Sequence, residues 1–328
     1  MPVSKPSVLL TGPMTPRVVE GVTAAFDVHR LWEAPDRAAF LRQHGASVRG
    51  IACNGAHGAI GAALFDALPA LEIVSNFGVG YDNVDVGEAA RRGIVVTNTP
   101  DVLTDEVADL TLGLLIATVR QIPRAEQHVR TGQWAKAAFP LTATLRGRSV
   151  GIVGLGRIGK AIARRCEGFG LSVAYCGRTR QADVGYPYHA SVVELARAVD
   201  VLIAITPGGE GTRHLIDAEV LRALGPEGVL INVARGSVVD EDALIAALRD
   251  RTILAAGLDV YENEPNIRPE LLAFDNAVLL PHVASGSVHT RNAMSQLVVD
   301  NLVSWFAGRG AISPVPEHAA LAAGRGRA

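Results

Sequence analysis

The amino-acid sequence predicts an α/β protein made of two doubly wound parallel-sheet domains, the second inserted into the first. Three observations carry this. Short β-rich runs alternate with helical patterns from the start, which argues for parallel strands joined by crossover helices. The alternation occurs twice, with a long helical stretch between the two series. A last amphipathic segment after Ser285 is long enough to cross back to the first series.

In the first series SVLLTG, FDVHRLW, VRGIACN, LEIVSNFG and GIVVTNT read as strands, with APDRAAFLRQHG and IGAALFDALPA as helices between them. It ends near TPDVLTDEVAD, where Pro100 breaks the strand and Thr104 is placed to cap a helix. That helix, from Thr104 to Arg120, is expected to continue through PRAEQHVRTGQW. An irregular stretch, 135–148, then leads into strands SVGIVG, SVAYCG, DVLIAIT, GVLINVA, ILAAGLDV and AVLLPHV. The closing helix is SVHTRNAMSQLVVDNLVSWFAG, and the tail EHAALAAGRGRA is small and polar enough to fray. The domains are expected at 1–102 with 286–328, and at 103–285.

A chain of 328 residues has room for two domains. With 48% hydrophobic residues and 34 glycines it reads as a globular protein with many tight turns. A formal net charge of -2 gives no reason to expect nucleic acid or a membrane surface as partner. The start, MPVSKPSVLLTG, lacks the apolar core of a signal peptide, and LTLGLLIATV after Asp109 is too short to span a bilayer. Cys53, Cys166 and Cys176 have no metal-ligand spacing and are odd in number, as expected of small apolar residues in a reducing compartment. The expectation is a cytoplasmic protein without a metal site.

The run GIVGLGRIGKAIARRCEGFG places Gly154, Gly156 and Gly159 in G-x-G-x-x-G spacing, with Leu155, Arg157 and Ile158 between them. These glycines supply a tight turn, close approach to a pyrophosphate and close helix–strand packing. The helix N-terminus adds free N–H groups and partial positive charge. A glycine triplet alone is weak evidence. Here it lies between a strand and a helix, with a second strand following, as in a Rossmann dinucleotide turn. At the end of that second strand an NAD enzyme offers Asp or Glu to the ribose. This chain has Gly177, Arg178, Thr179 and Arg180. A carboxylate repels a 2′-phosphate and a guanidinium holds it, so the expected cofactor is NADPH/NADP+.

Three later strand ends carry ionisable groups: Arg235 in INVARGSVVDEDAL, Asp259 and Glu264 in AAGLDVYENEP, and His282 in AVLLPHVASGS. Singly, each has an ordinary explanation as a surface charge, a turn residue or one of nine histidines. Together, after a dinucleotide turn, they match the needs of ketone reduction. Histidine donates and recovers a proton near neutral pH. A neighbouring carboxylate favours the protonated ring and orients it. An arginine holds a 2-oxo acid's carboxylate and polarises its carbonyl.

From about Leu64 to Pro314 the chain resembles the D-isomer-specific 2-hydroxyacid dehydrogenase family. The likeness rests on LPALEIVSNFGVGYDNVDV, RGIVVTNTPDVLTDEVADLTLGLLIA, GIVGLGRIGKAIARR, LINVARGSVVDEDAL, AGLDVYENEP and PHVASGSVHTR. Through YPYHASVVELA and LRALGPEGVLINVARG it is similar to the branch of NADPH-dependent glyoxylate/hydroxypyruvate and hydroxyphenylpyruvate reductases. The resemblance implies a Rossmann NADP-binding domain inserted into a flavodoxin-like substrate domain. It makes Arg235, Glu264 and His282 the catalytic set and puts Asp259 near the nicotinamide amide. It implies that the N–H groups of Val79 and Gly80 receive the substrate carboxylate, with Asn76 and Phe77 lining the pocket. Thr104, Ala108, Val233, Ala234, Ser285 and Gly286 are implied cofactor contacts. So is Thr206, although ITPGGEGT departs from the family's usual P-x-T-P-x-T loop.

A small 2-oxo acid is therefore the expected partner, and the long segment after Thr104 implies a homodimer. Pocket size is expected to depend on loops near Cys53–His57 and Trp134–Leu141. A bulkier 2-oxo acid is the main alternative substrate. Phosphoglycerate dehydrogenase is disfavoured by the chain's length. Formate dehydrogenase is disfavoured by the Glu264–His282 pair, which suits moving a proton that formate oxidation does not release. A nucleotide-sensing co-repressor of the same fold is disfavoured by the absence of a long disordered tail.

Overall fold

The computed structural model describes residues 5–323. Its contacts divide the chain into one unit of Met1–Leu103 with Val288–Ala328 and a second of Thr104–Ser287. In the first unit strands β1 (Ser7–Leu10), β2 (Asp27–Arg30), β3 (Val48–Asn54), β4 (Ile73–Phe77) and β5 (Val95–Thr97) form a parallel sheet in the order β2-β1-β3-β4-β5. β1 and β4 are buried along their whole length because both sheet faces are covered. One face packs Leu9, Ile51, Val74 and Val96 against Leu31 and Phe65. On the other lies the closing helix, Val288–Phe306, where the Ser75 hydroxyl donates to the Val298 carbonyl at 3.1 Å.

The outer edge at β5 is occupied by the chain's own C-terminal segment. Thr97 pairs antiparallel with Pro314, and Val315 N–H donates to the Val96 carbonyl at 3.0 Å. The buried His318 ring accepts the Val96 N–H at Nδ1, 2.9 Å, and donates from Nε2 to the Val86 carbonyl, 2.8 Å. Backbone groups that would template association are thereby paired.

The second unit holds seven parallel strands: β6 (Ser149–Val153), β7 (Ser172–Cys176), β8 (Tyr188–His189), β9 (Val201–Ala204), β10 (Val229–Asn232), β11 (Ala255–Leu258) and β12 (Ala277–Leu279). Their order is β12-β11-β10-β9-β6-β7-β8. The chain runs outward from β6 through β7 and β8, then returns to β9 and continues the other way. The crevice beyond the carboxyl ends at that β6/β9 reversal is where open α/β sheets bind ligands. Every group singled out in the second series follows a strand's carboxyl end. β8 has only two residues, too few for an alternating pattern to reveal.

One sequence expectation needs correction. The helix does not continue past Arg120. It runs Thr104–Val119, Gln121 adopts a left-handed φ of 51°, and a separate helix occupies Ile122–Arg130. Pro123 sits in the first turn of the second helix, where its missing N–H costs nothing; inside a continuous helix its ring would clash with the preceding turn. Thr104 is itself the first helical residue. Among the described residues no helix is long and apolar enough to cross a membrane.

Candidate active site

The turn after β6 is built by its glycines. Gly154 has φ 102°, and a Cβ there would stand 3.0 Å from the Ile205 carbonyl and the Thr206 backbone, so the β9 loop is pressed against it. A Cβ on Gly159 would stand 2.2 Å from the Gly154 carbonyl, which only glycine avoids. Gly156 differs: a side chain there would project into open space at the start of the helix Arg157–Gly168. Leu155 is buried beneath and Arg157 is exposed. Free N–H groups, partial positive charge and an unobstructed approach suit a pyrophosphate.

Beyond β7, Arg178, Thr179 and Arg180 are exposed. Gly177 has an ordinary φ and open space where a side chain would go. Gln181 ties this turn to the glycine turn: its backbone N–H donates to the Tyr175 hydroxyl at 2.7 Å and its side chain to the Leu155 carbonyl at 2.8 Å. Tyr188 Oη donates to the Gly177 carbonyl at 3.3 Å. The residues present therefore fit a dinucleotide with an anionic group at the ribose.

Farther along the same sheet edge, His282 Nδ1–H donates to Glu264 Oε2 at 2.7 Å, and Glu264 Oε1 accepts the Tyr261 N–H at 3.0 Å. Burial pushes the Glu264 carboxyl up, but those two hydrogen bonds and the charges of His282 and Arg235 outweigh it and hold it below the usual range. Glu264 is thus an anion above the acid range, and the pairing is lost only as pH falls through that depressed value. The Arg235 loop is held against this segment by Gly236, where a Cβ would overlap the Tyr261 carbonyl group. Asn232 shapes the same turn, accepting the Ala234 N–H at 3.0 Å and donating to the Arg235 carbonyl at 3.1 Å.

His282 has a φ of 53°, unusual for a residue with a side chain. The fully buried Asp259 explains how it is kept there. His282 N–H donates to the Asp259 carbonyl at 2.9 Å, while the carboxylate accepts Val283 N–H at 2.7 Å and Ala284 N–H at 2.8 Å. Burial raises this carboxyl above the ordinary aspartate range, against the lowering effect of the two N–H donors. Gly286 closes the turn by donating to the Val283 carbonyl at 2.7 Å, and Ser287 donates to Glu106 at 2.7 Å.

In the first unit the turn after β4 has its carbonyls fastened in sequence. Gly78 O accepts the Thr99 N–H at 2.9 Å, Val79 O the Asn98 side chain at 2.9 Å, and Gly80 O the Asn76 side chain at 2.9 Å. Gly78 has φ 146°, a conformation that favours glycine, and its N–H donates to Thr99 Oγ1 at 3.1 Å. Among the described residues the N–H groups of Val79 and Gly80 have no acceptor. Asn76 and Phe77 are both buried.

A family model described as the NAD binding domain of D-isomer specific 2-hydroxyacid dehydrogenases matches residues 112–284, more than half of the chain. The chain belongs to that family. Glyoxylate/hydroxypyruvate reductase A of Arabidopsis thaliana is 46% identical over 308 residues, 94% of this chain and 98% of the relative. Hydroxyphenylpyruvate reductase of Plectranthus scutellarioides matches at the same identity over the same shares. An NADPH-dependent glyoxylate/hydroxypyruvate reductase from Sinorhizobium meliloti, solved with NADP and malonate, superposes with a TM-score of 0.91. It is 56% identical, covering 96% of this chain and 98% of that one.

This dehydrogenase therefore has an α/β fold with a nicotinamide-dinucleotide domain, and it is an oxidoreductase. Its structure brings Arg235, Glu264 and His282 to one sheet edge and sets Thr206 against the glycine turn. Val233 and Ala234 are buried at the foot of the Arg235 loop, and Ser285 is half-buried in the turn after His282. Ala108 is fully buried in the same apolar cluster as Leu155, while Thr104 is half-exposed. Sequence reasoning missed Asn232, which shapes its own turn, and Gln181 and Asn98, whose side chains donate to backbone carbonyls distant in sequence. No local motif marks such a residue.

Proposed function

We propose that this dehydrogenase is a cytoplasmic NADPH-dependent reductase of small 2-oxo acids, converting glyoxylate to glycolate and hydroxypyruvate to D-glycerate. The observation that carries the reading is the 2.7 Å Glu264–His282 pair on the sheet whose β7 is followed by Gly177-Arg178-Thr179-Arg180 without an acid. Gly154, Gly156 and Gly159 with the Arg157–Gly168 helix hold the pyrophosphate, and Arg178 with Arg180 the 2′-phosphate. NADPH, when bound, supplies the hydride. The Val79 and Gly80 N–H groups take the substrate carboxylate, and Arg235 faces the charge that develops on the carbonyl oxygen. His282, oriented through Nδ1 by Glu264, gives that oxygen its proton from Nε2 and regains it from solvent.

Mixing the protein with NADPH and each member of a 2-oxo acid panel tests this directly. Loss of nicotinamide absorbance with glyoxylate and hydroxypyruvate is expected, and none with any 2-oxo acid would sink the reading. The panel includes hydroxyphenylpyruvate because a relative of that name is equally similar.

Glu264→Gln keeps the shape of the pair but removes the anion that holds the His282 ring through Nδ1. In the variant kcat for 2-oxo acid reduction falls while the Kd for NADPH stays unchanged. An unchanged kcat would remove Glu264 from the mechanism.

Dimerisation belongs to the same proposal. Ile122, Val129, Trp134 and Leu141 all leave large apolar surface exposed between the helix Thr104–Val119 and β6, with Leu141 wholly exposed. A second copy covering them in a two-fold arrangement explains that exposure. Light scattering at micromolar concentration is expected to give twice the monomer mass; a monomer would overturn it.

A further inference from the structure

We propose that Asn98 is a positioning residue that aims the Gly80 N–H at the substrate's carboxylate. This rests on the carboxylate being held by the Val79 and Gly80 N–H groups. A peptide unit is planar and trans, so its carbonyl and its N–H point in opposite directions. The Gly80 N–H shares its peptide plane with the Val79 carbonyl. Pulling that carbonyl toward Asn98 Nδ2, 2.9 Å away, turns the Gly80 N–H the other way. The Val79 N–H is turned in the same manner, because the Gly78 carbonyl is held by the Thr99 N–H at 2.9 Å. The second tether is backbone only. The first is a side chain and can be removed.

Asn98 is itself held by a relay from the closing helix. Its N–H donates to the Ser313 carbonyl at 3.2 Å, and its carbonyl accepts the Ser313 hydroxyl at 2.7 Å. Asn301, fully buried on the helix Val288–Phe306, accepts the N–H groups of Ile312 and Ser313 at 3.0 Å each and donates to Ser313 Oγ at 2.8 Å. Both Asn98 and Asn301 are buried, so these bonds form away from competing water. The order is Asn301, Ser313, Asn98, Val79 carbonyl, Gly80 N–H. The residue that orients the anion site is thus fixed by a segment more than 200 positions away in sequence.

Asn98→Asp keeps the side chain's shape but replaces the donor with a carboxylate oxygen facing the Val79 carbonyl. Losing one tether of this kind weakens carboxylate binding about 5- to 30-fold. The contact exists in ground and transition states alike, so KM for glyoxylate rises while kcat stays within about two-fold and NADPH affinity is unchanged. Malonate titrated into the protein saturated with NADP+ reads the same site without turnover, and its Kd rises in parallel. Ser313→Ala, which leaves the Asn98 side chain intact, moves both values the same way by a smaller factor, and it carries the test if Asn98→Asp fails to fold. Unchanged KM and malonate Kd in the folded variants would overturn the proposal. So would a fall in kcat, NADPH affinity and Tm together at constant KM. A wild type that binds malonate but does not reduce glyoxylate would defeat the proposed substrate while leaving this test intact.

Discussion

His282→Ala lowers kcat for 2-oxo acid reduction by about 10²–10⁴-fold, the range general acid catalysis contributes, while the Kd for NADPH stays near the wild-type value. The two effects separate because His282 lies beyond β12, at the outer end of the sheet, whereas the glycine turn follows β6 near its centre. The ring is half-exposed and tied to the rest of the chain through Glu264, so removing it opens no cavity in the core. Its backbone conformation is imposed by Asp259 through bonds to residues 282–284 that survive truncation. A variant that keeps normal kcat and shows only a raised KM would assign His282 to substrate binding instead. Stopped-flow measurement of a single turnover distinguishes the proton-transfer step from product release.

The second large effect is an inversion of cofactor preference. Arg178→Ala is expected to weaken NADPH by roughly 10- to 150-fold and to leave NADH almost untouched. A hydrogen bond to a charged group contributes about 1.5–3 kcal/mol. Arg180 is also exposed on this turn and is proposed to share the phosphate, which places the single change toward the low end. Gly177→Asp acts in the opposite sense, offering the ribose hydroxyls an acceptor and repelling a phosphate. The structure accommodates it, since Gly177 has an ordinary φ and nothing stands within 4 Å of the new Cβ. The double variant therefore prefers NADH in kcat/KM. A wild type that already prefers NADH would refute the reading of Arg178 and Arg180. A double variant that still prefers NADPH would show that the phosphate is gripped elsewhere.

The dinucleotide turn and the missing acid were legible because they are local. A strand, three glycines and a helix are contiguous from Ser149 to Gly168, and the exposure of Arg178 follows from its place past a strand end. The helix break at Gln121 is marked only by Pro123, and the helix-forming residues on either side of it favour one continuous helix by pattern alone. The proposed catalytic group was harder. Arg235, Glu264 and His282 are ordinary residues singly; their shared place at strand ends after a dinucleotide turn suggested that they act together, and the family resemblance gave each its expected role.

Composition, alternation and glycine spacing by themselves determined an α/β chain in two parallel sheets, with a nucleotide turn and a basic ribose end. Those properties depend on residues within a few positions of one another, or on the apolar demand of a sheet buried on both faces. Tertiary structure alone decided how the groups are aimed. The Asp259 carboxylate faces inward to hold a left-handed His282, Gln181 bridges two turns, and Asn98 joins β5 to a loop after β4 under the grip of Ser313 and Asn301. Each of these is a hydrogen bond between a buried or half-buried side chain and a backbone group brought near by folding. Any Asp, Gln or Asn in the sequence can make such a bond, and only the packed chain selects which one does.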